Sequence, residues 1–229
     1  MAKDRKELKL FIAEGEKACM TMLRKSSFDP VLICITHQFK YPSALENLPL
    51  SIISAKDMSR ISQLKTPSDI LVVFRMPSNR IESLQGNGRI IYLDNVQDPG
   101  NVGTIIRIAD WFGIPTIVRS SDSADFFNPK VVQATMGSLA NVSLYDGELQ
   151  SISYGRIVYG AFMDGIQLRS VEWNENSVLV LGSEGRGISP ANYPLIQNKI
   201  AIPGVSSRLA DSLNVSVAAG IICAEWSGA

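Results

Sequence analysis

The 229-residue sequence predicts an α/β protein in two parts: a small α/β domain over residues 1–80, a linker over 81–88, and a larger, mainly parallel-sheet α/β domain over 89–229. Three observations carry this. Short β-rich runs alternate with helical patterns along the chain, the signature of α/β architecture. Turn-forming residues gather at 76–88, among them Pro77, Ser78, Asn79, Gly86 and Gly88. The charge also changes sign there: residues 1–80 hold 13 Lys and Arg against 8 Asp and Glu, a balance of +5, and residues 81–229 hold 9 against 14, a balance of −5. A basic first part suits a phosphate-bearing partner, although ordinary variation between domains gives the same split.

In the first part, 11–13 reads as a short strand, 14–23 as a helix, and Val31-Leu32-Ile33-Cys34-Ile35 as a buried strand. Residues 51–53 form another strand, followed by Ser54 as N-cap of a short helix to Arg60, and 70–74 is the last strand. In the second part strands are expected at 90–93, 116–118, 157–161, 178–181 and 200–202. Ile105, Ile108, Ala109 and Phe112 stand at i, i+3, i+4 and i+7, one apolar helical stripe, with Gly113 placed to end it. Another helix begins at Asn128 with Pro129 in its first turn, and a last one runs over 211–226.

Composition excludes several classes. Hydrophobic residues at 45% and charged residues at 19% suit a globular core. No apolar stretch reaches the ~18–20 residues that span a bilayer, and the polar start lacks the apolar run of a secretory leader, so the cytoplasm is expected. Cys19, Cys34 and Cys223 are odd in number and far apart, which suits reduced, buried thiols and no metal site. The single histidine, His37, falls in the first part and reads as structural or exposed.

Three segments carry chemistry. Leu93-Asp94-Asn95-Val96-Gln97-Asp98-Pro99-Gly100-Asn101-Val102-Gly103 takes a strand end through a turn-rich loop into a helix, putting polar groups at the carboxyl edge of the sheet, where open α/β folds bind ligands. Arg107 lies off the apolar stripe; alone, this pattern also fits a tight turn with a surface arginine. Gly182-Ser183-Glu184-Gly185-Arg186-Gly187 follows a buried strand and lets backbone approach a ligand closely, yet it is neither a Walker loop nor a dinucleotide fingerprint. Ile202-Pro203-Gly204 leads to Ser212-Leu213-Asn214-Val215-Ser216, where capping residues cluster at a helix start.

In this order and spacing the segments resemble the SpoU/TrmH family of the SPOUT methyltransferases, over residues 89–226. The motifs are D-N-V-x-D-P-x-N-V-G-x-I-x-R-x-A-x-x-F-G, L-G-S-E-G-x-G, and I-P followed by S-L-N-V-S-V-A. Phe11-Ile12-Ala13-Glu14-Gly15-Glu16-Lys17 resembles, more loosely, the substrate-binding domain of the family's rRNA members, a fold akin to kink-turn-binding ribosomal proteins. The resemblance implies ribose 2′-O-methylation of structured RNA, rRNA before tRNA, with S-adenosylmethionine as cofactor. It further implies a deep trefoil knot in the second domain, a rare exception to the avoidance of knots, and a homodimer formed through that domain.

Carried over position by position, Arg107, Asn101, Glu184, Ser212 and Asn214 match the family's active-site polar residues. Thr135, Met136, Gly137, Leu181, Gly182, Glu184, Gly185, Ile202, Pro203, Ser212 and Leu213 fall where the family holds its cofactor. The family's motif-one arginine is its expected base, here Arg107. With an arginine pKa above ~12, neutral guanidine at pH 7 costs roughly 7–9 kcal/mol, which favours a role in holding phosphate and orienting the hydroxyl. Departures from the family pattern are a loop over 205–211 two residues longer than usual, including Arg208, and Thr66-Pro67-Ser68-Asp69 in place of a Pro-Gln-Gly turn. A non-catalytic RNA-binding or ribosome-assembly protein on the same scaffold is the rival from another class, and a base methylase is a third reading.

Overall fold

The computed structural model describes residues 5, 7–25, 28–79, 81–84, 88–205, 207 and 209–228. The start of the chain at 1–4 and 6, part of the expected linker at 85–87, and Arg208 lie outside the described residues. Two compact units form, Met1–Ser78 with Asp125–Ala140, and Asn79–Ala124 with Asn141–Ala229.

The first unit is built on a four-stranded sheet of β1 (Leu10–Glu14), β2 (Pro30–Thr36), β3 (Leu50–Ile53) and β4 (Ile70–Arg75), in the order β1-β4-β2-β3. β4 runs antiparallel to β1 and β2, and β2 and β3 are parallel. Helix α1 (Glu16–Leu23) buries Ala18, Cys19 and Met22, and α2 (Ala55–Ile61) buries Met58 against Cys34 and Leu71. Ser54 caps α2 as expected, its hydroxyl accepting from Asp57 N at 3.1 Å. Glu14 ends β1 instead of starting a helix, because its carboxylate is held by Ser62 Oγ and Gln63 N. The segment at 125–140 joins this unit through specific contacts. Asp125 takes the Arg5 guanidinium at 2.7 Å, and Phe127 packs beside Phe11, which itself lies on Phe74. The helix expected at Asn128 is α3 (Pro129–Ala134), with the Asn128 side chain accepting from Lys130 N.

The second unit is a six-stranded, all-parallel sheet: β5 (Ile90–Asp94), β6 (Thr116–Arg119), β7 (Ser143–Asp146), β8 (Ile157–Gln167), β9 (Ser177–Gly182) and β10 (Asn198–Ala201), in the order β10-β8-β9-β5-β6-β7. β5 and β9, buried along almost their whole length, are continuous apolar runs, as parallel strands covered on both faces must be. On one face Tyr92, Val118, Val158 and Val180 pack with Leu149 and with Ile152 of α5, a short helix over Gln150–Ser153. Helices α4 (Pro99–Trp111) and α6 (Val215–Ser227) pack together; Gly220 of α6 faces Ile108, where an added Cβ would sit 3.7 Å from Cδ1. α4 ends in a Schellman arrangement: Gly113 has φ 66° and Ile114 N donates to Ala109 O.

Several boundaries differ from the sequence expectation. α4 begins at Pro99, because Asp98 caps it by accepting from Asn101 N at 2.9 Å. The last helix begins at Val215, not 211, because Asn214 is its cap. β10 starts two residues earlier than expected, at Asn198. β7 has no counterpart in the sequence reading: its four residues, Ser-Leu-Tyr-Asp, sit on the sheet's edge and have only one buried side chain. All three cysteines are free and buried, and burial pushes the Cys19 and Cys223 thiols up to about 12. His37 is exposed in the turn after β2. Among the described residues no helix is long and apolar enough to cross a membrane.

Candidate active site

The carboxyl ends of β5 and β9 lie side by side, with Asp94 paired to Gly182. Each strand leads into one of the expected loops, as the rule for ligand sites in parallel sheets requires. Asp94, almost fully buried, anchors the arrangement. Its carboxylate accepts from Ser189 N (2.7 Å), Ser189 Oγ (2.9 Å), Asn192 Nδ2 (2.9 Å) and Asn95 Nδ2 (3.1 Å). A carboxylate taken out of water is tolerable only with such donors, so the first loop and the chain after the second are fastened to one group. Asn95 sits at φ 57°, a left-handed conformation that asparagine accepts more readily than most residues.

The glycine loop folds back on itself. Ser183 and Gly187 exchange both backbone hydrogen bonds, at 3.0 and 2.9 Å, and Arg186 N donates to Ser183 Oγ. Gly182 is required here: a Cβ on it would stand 2.2 Å from the carbonyl carbon of Gly187. The tight return presents Glu184 at the loop's tip. There Glu184 Oε1 accepts from Asn101 Nδ2 at 2.7 Å and from Asn214 Nδ2, and Asn214 Nδ2 also donates to Asn101 Oδ1 at 3.0 Å. Three segments far apart in sequence therefore meet in one hydrogen-bonded cluster. Asn214 is fixed from behind, since its Oδ1 accepts from Ser216 N, Ser216 Oγ and Val217 N.

Two cavities meet at this loop. One, about 700 Å³, is an apolar groove between the loop, β8, the chain after β10 and the start of α6. Of the expected cofactor residues, Leu181, Gly182, Glu184 and Gly185 line it from β9 and its loop, Ile202 and Pro203 follow β10, and Ser212 and Leu213 precede α6. The other, about 760 Å³, is polar and is lined by Asn95, Gln97, Asp98, Asn101 and Asp122 opposite the same loop. Glu184 borders both.

Two groups of expected residues are not among those that line the groove. Thr135, Met136 and Gly137 belong to the first unit, with Thr135 fully buried and its hydroxyl donating to Val132 O, whereas the residues lining the groove all belong to the second. Arg107 is exposed on α4 and is not in the cluster. Six residues separate it from Asn101, which places it ~120° around the helix and ~9 Å along it. Its guanidinium makes no hydrogen bond or ion pair with a described residue.

The groove also holds side chains that the motifs did not point to. Between Lys199 and Ile200 the pairing of β10 with β8 jumps from Gly160 to Ile166, so residues 161–165 leave the regular ladder, and Phe162, Met163 and Asp164 line the groove. Tyr193 packs edge-on against Phe162, with Lys199 Nζ 4.9 Å from the Phe162 ring centre. The expected end of that strand at 161 marks where regular pairing stops, but nothing in its periodicity announces the bulge.

Residues 88–224 match the SpoU rRNA methylase family. The chain belongs to that family. It is 29% identical over 227 residues to the 23S rRNA (guanosine(2553)-2′-O)-methyltransferase RlmP of Bacillus subtilis, covering 96% of this chain and 89% of that protein. A TrmH-family protein from Porphyromonas gingivalis is 37% identical, with a TM-score of 0.86 over 99% of this chain and 92% of that one. An rRNA methyltransferase from Sinorhizobium meliloti, solved with AdoMet bound, is 25% identical, with a TM-score of 0.87 over 99% of this chain and 90% of that one. The parallel-sheet unit thus has the SpoU architecture, and the cluster and both cavities lie inside the matched region.

Proposed function

We propose that this protein is a cytoplasmic RNA 2′-O-ribose methyltransferase that uses S-adenosylmethionine and acts on ribosomal RNA. The observation that carries this reading is the Asn101–Glu184–Asn214 cluster, set where an apolar groove meets a polar cavity. The groove fits the cofactor. Its volume lies within the ~300–1,000 Å³ of small-molecule sites, Leu181, Ile202 and Leu213 offer apolar faces to an adenine, and Asp164, Glu184 and Asp211 offer acceptors for hydroxyl and ammonium groups. When bound, S-adenosylmethionine supplies a methyl group made electrophilic by its sulfonium.

The chain's own residues then have separate tasks. Gly182 and the folded loop let backbone come close to the ligand. The polar cavity receives the acceptor ribose, and Asn101 and Asn214 fix the Glu184 carboxylate through Oε1. Oε2 has no hydrogen-bond partner among the described residues, so it is available to orient the 2′-hydroxyl or to take its proton. Orientation and exclusion of water supply most of the rate gain. Ser212, at the groove's edge, contributes a further hydroxyl.

Arg107 is assigned a phosphate or hydroxyl of the RNA, which its exposure and unpaired guanidinium support. A homodimer through the second unit is part of this reading: Trp111 of α4 is 83% exposed and Val217 of α6 is 51% exposed, apolar surface suited to a subunit interface. We also assign the second unit the family's trefoil knot, and residues 1–80 the role of an RNA substrate-binding domain akin to kink-turn-binding proteins, supported by their +5 charge. The named relative that acts on 23S rRNA favours rRNA over tRNA.

Incubation with radiolabelled S-adenosylmethionine and deproteinised ribosomal RNA, followed by nuclease digestion and mass spectrometry, tests the reading. A 2′-O-methylated nucleoside is expected. Label on a base would convert the assignment to base methylation, and RNA binding with no incorporation would leave the non-catalytic rival.

A further inference from the structure

The folded loop after β9 carries two opposite charges at its tip, Glu184 and Arg186, with only Gly185 between them. They do not pair with each other. Glu184 Oε1 is taken by the Asn101 and Asn214 amides, and the Arg186 guanidinium makes no hydrogen bond or ion pair with a described residue. The backbone of Arg186 is nevertheless fixed, since its N–H donates to Ser183 Oγ inside the return between Ser183 and Gly187. Other arginines of the unit are neutralised, Arg89 by Glu175 and Arg119 by Asp146.

Arg186 also borders both cavities, and among the described residues of either lining it is the one cation. Against it stand Asp98, Asp122 and Glu184 in the polar cavity, and Asp164, Glu184 and Asp211 in the groove. A nucleotide entering a cavity lined by three carboxylates brings a phosphodiester that they repel. An unpaired guanidinium offsets this, because its planar fork binds phosphate through two N–H groups. Arg107, by contrast, lines neither cavity. Arg186 occupies the position that the motif L-G-S-E-G-x-G leaves free, so the motif does not mark it.

We propose that Arg186 binds the phosphodiester on the 3′ side of the ribose that is methylated. The 2′-oxygen and the 3′-phosphate sit on adjacent ribose carbons. Glu184 and Arg186 stand two residues apart, a reach of at most ~7 Å along the chain. One loop tip therefore meets both groups, Glu184 the hydroxyl and Arg186 the phosphate that fixes which hydroxyl is presented. This role rests on the reading of the chain as a ribose methyltransferase and adds a specificity to it: the acceptor is a nucleotide inside an RNA strand, not its 3′-terminal nucleoside. The cofactor's carboxylate is the other oxyanion that this loop could meet, and the test separates the two.

That test uses full-length protein, deproteinised large-subunit ribosomal RNA and radiolabelled S-adenosylmethionine. Arg186→Gln keeps a long polar side chain and removes the charge and the fork. Arg169→Ala, exposed on the same unit and lining neither cavity, is the control for net charge. Arg186→Gln should lower kcat/KM for RNA by about 10–100-fold, the worth of a charged hydrogen bond. Its salt dependence should flatten by roughly one counterion, while Arg169→Ala stays within about threefold of wild type. Thermal unfolding and S-adenosylmethionine affinity, read by calorimetry, should match wild type. Ethylation interference, in which single RNA phosphates are converted to triesters before binding, then locates the contact. Ethylation of the phosphate 3′ to the methylated nucleotide should block binding to wild type and make no difference to Arg186→Gln. No interference at that phosphate in wild type, or the same interference in the variant, overturns the proposal. So does a loss of cofactor affinity with RNA kinetics unchanged, which would place the cofactor's carboxylate on Arg186. A wild-type protein that transfers no methyl group to RNA fails the functional reading itself, whereas an active wild type with an indifferent Arg186→Gln fails only this inference.

Discussion

Asn214 joins two tasks in one side chain: its Nδ2 donates to Asn101 Oδ1 at 3.0 Å, 113 residues away in sequence, while its Oδ1 caps helix α6. Asn214→Ala should therefore cost both stability, roughly 0.5–2 kcal/mol for a lost cap, and most of the methylation rate. Asn214→Asp separates the two. A carboxylate still caps the helix, but it stands against Glu184 with no N–H to offer. Thermal unfolding near wild type with a large loss of rate is expected; an active Asn214→Asp would show that the amide donor is dispensable.

Glu184→Gln keeps the shape of the loop tip but replaces one carboxylate oxygen by an NH₂ and removes the charge. Rate should fall on the order of 10²–10⁴-fold, as for other positioned proton-transfer groups. Cofactor affinity, read by calorimetry, should change far less, because the groove's apolar walls are untouched. A rate within about threefold of wild type would remove Glu184 from the reaction.

Arg107 tests a planar fork against a bare charge. If it clamps a phosphate or the hydroxyl through two N–H groups, lysine cannot replace it. Arg107→Lys should then approach Arg107→Ala, both losing on the order of 10²–10⁴-fold in rate, with fold and cofactor affinity retained. Near-full activity of Arg107→Lys would reduce its role to a positive charge, and an active Arg107→Ala would make it a surface residue.

Gly182→Ala forces a Cβ to within 2.2 Å of the Gly187 carbonyl carbon, a backbone atom that cannot swing aside as a side chain would. The loop must open, at a cost of about 1–3 kcal/mol or more. Lowered thermal stability together with lost cofactor binding is expected. Gly185→Ala, where an added Cβ meets nothing within 4 Å, is the matched control and should keep its stability.

Cys19 and Cys223 should resist alkylation in the native protein, because the thiolate is the nucleophile and burial has pushed both thiols to about 12. The same shift sets a pH dependence. The fold holds these groups protonated, so the stability they contribute is complete below the ordinary thiol value of 9.0 and is lost as pH rises from there towards about 12. A Cys19→Ala/Cys223→Ala double variant should show a flatter decline of unfolding free energy over that range. Rapid labelling of either thiol at neutral pH without unfolding would contradict the burial.

Whatever rests on local chemistry could be read from the chain alone. The apolar runs at β5 and β9 announced strands, and Gly113 marked the end of one helix. The ordered motifs around Asn101, Glu184 and Asn214 pointed to a shared site. Which of the marked residues actually meet is a property of the folded sheet. Asn101 and Glu184 are 83 residues apart, yet they touch because β5 and β9 are neighbours, and Asn214 reaches them from the start of α6. Strand order is set by which apolar faces can be buried together, and no local pattern carries that information. The same holds for the bulge at 161–165, which exists because β8 and β10 change register. It holds too for the segment at 125–140, drawn to the first unit by Arg5 and Phe11. Arg107 shows the limit from the other side: the motif marks it, but helical geometry sets it about 120° around α4 from Asn101, and among the described residues nothing pairs with it.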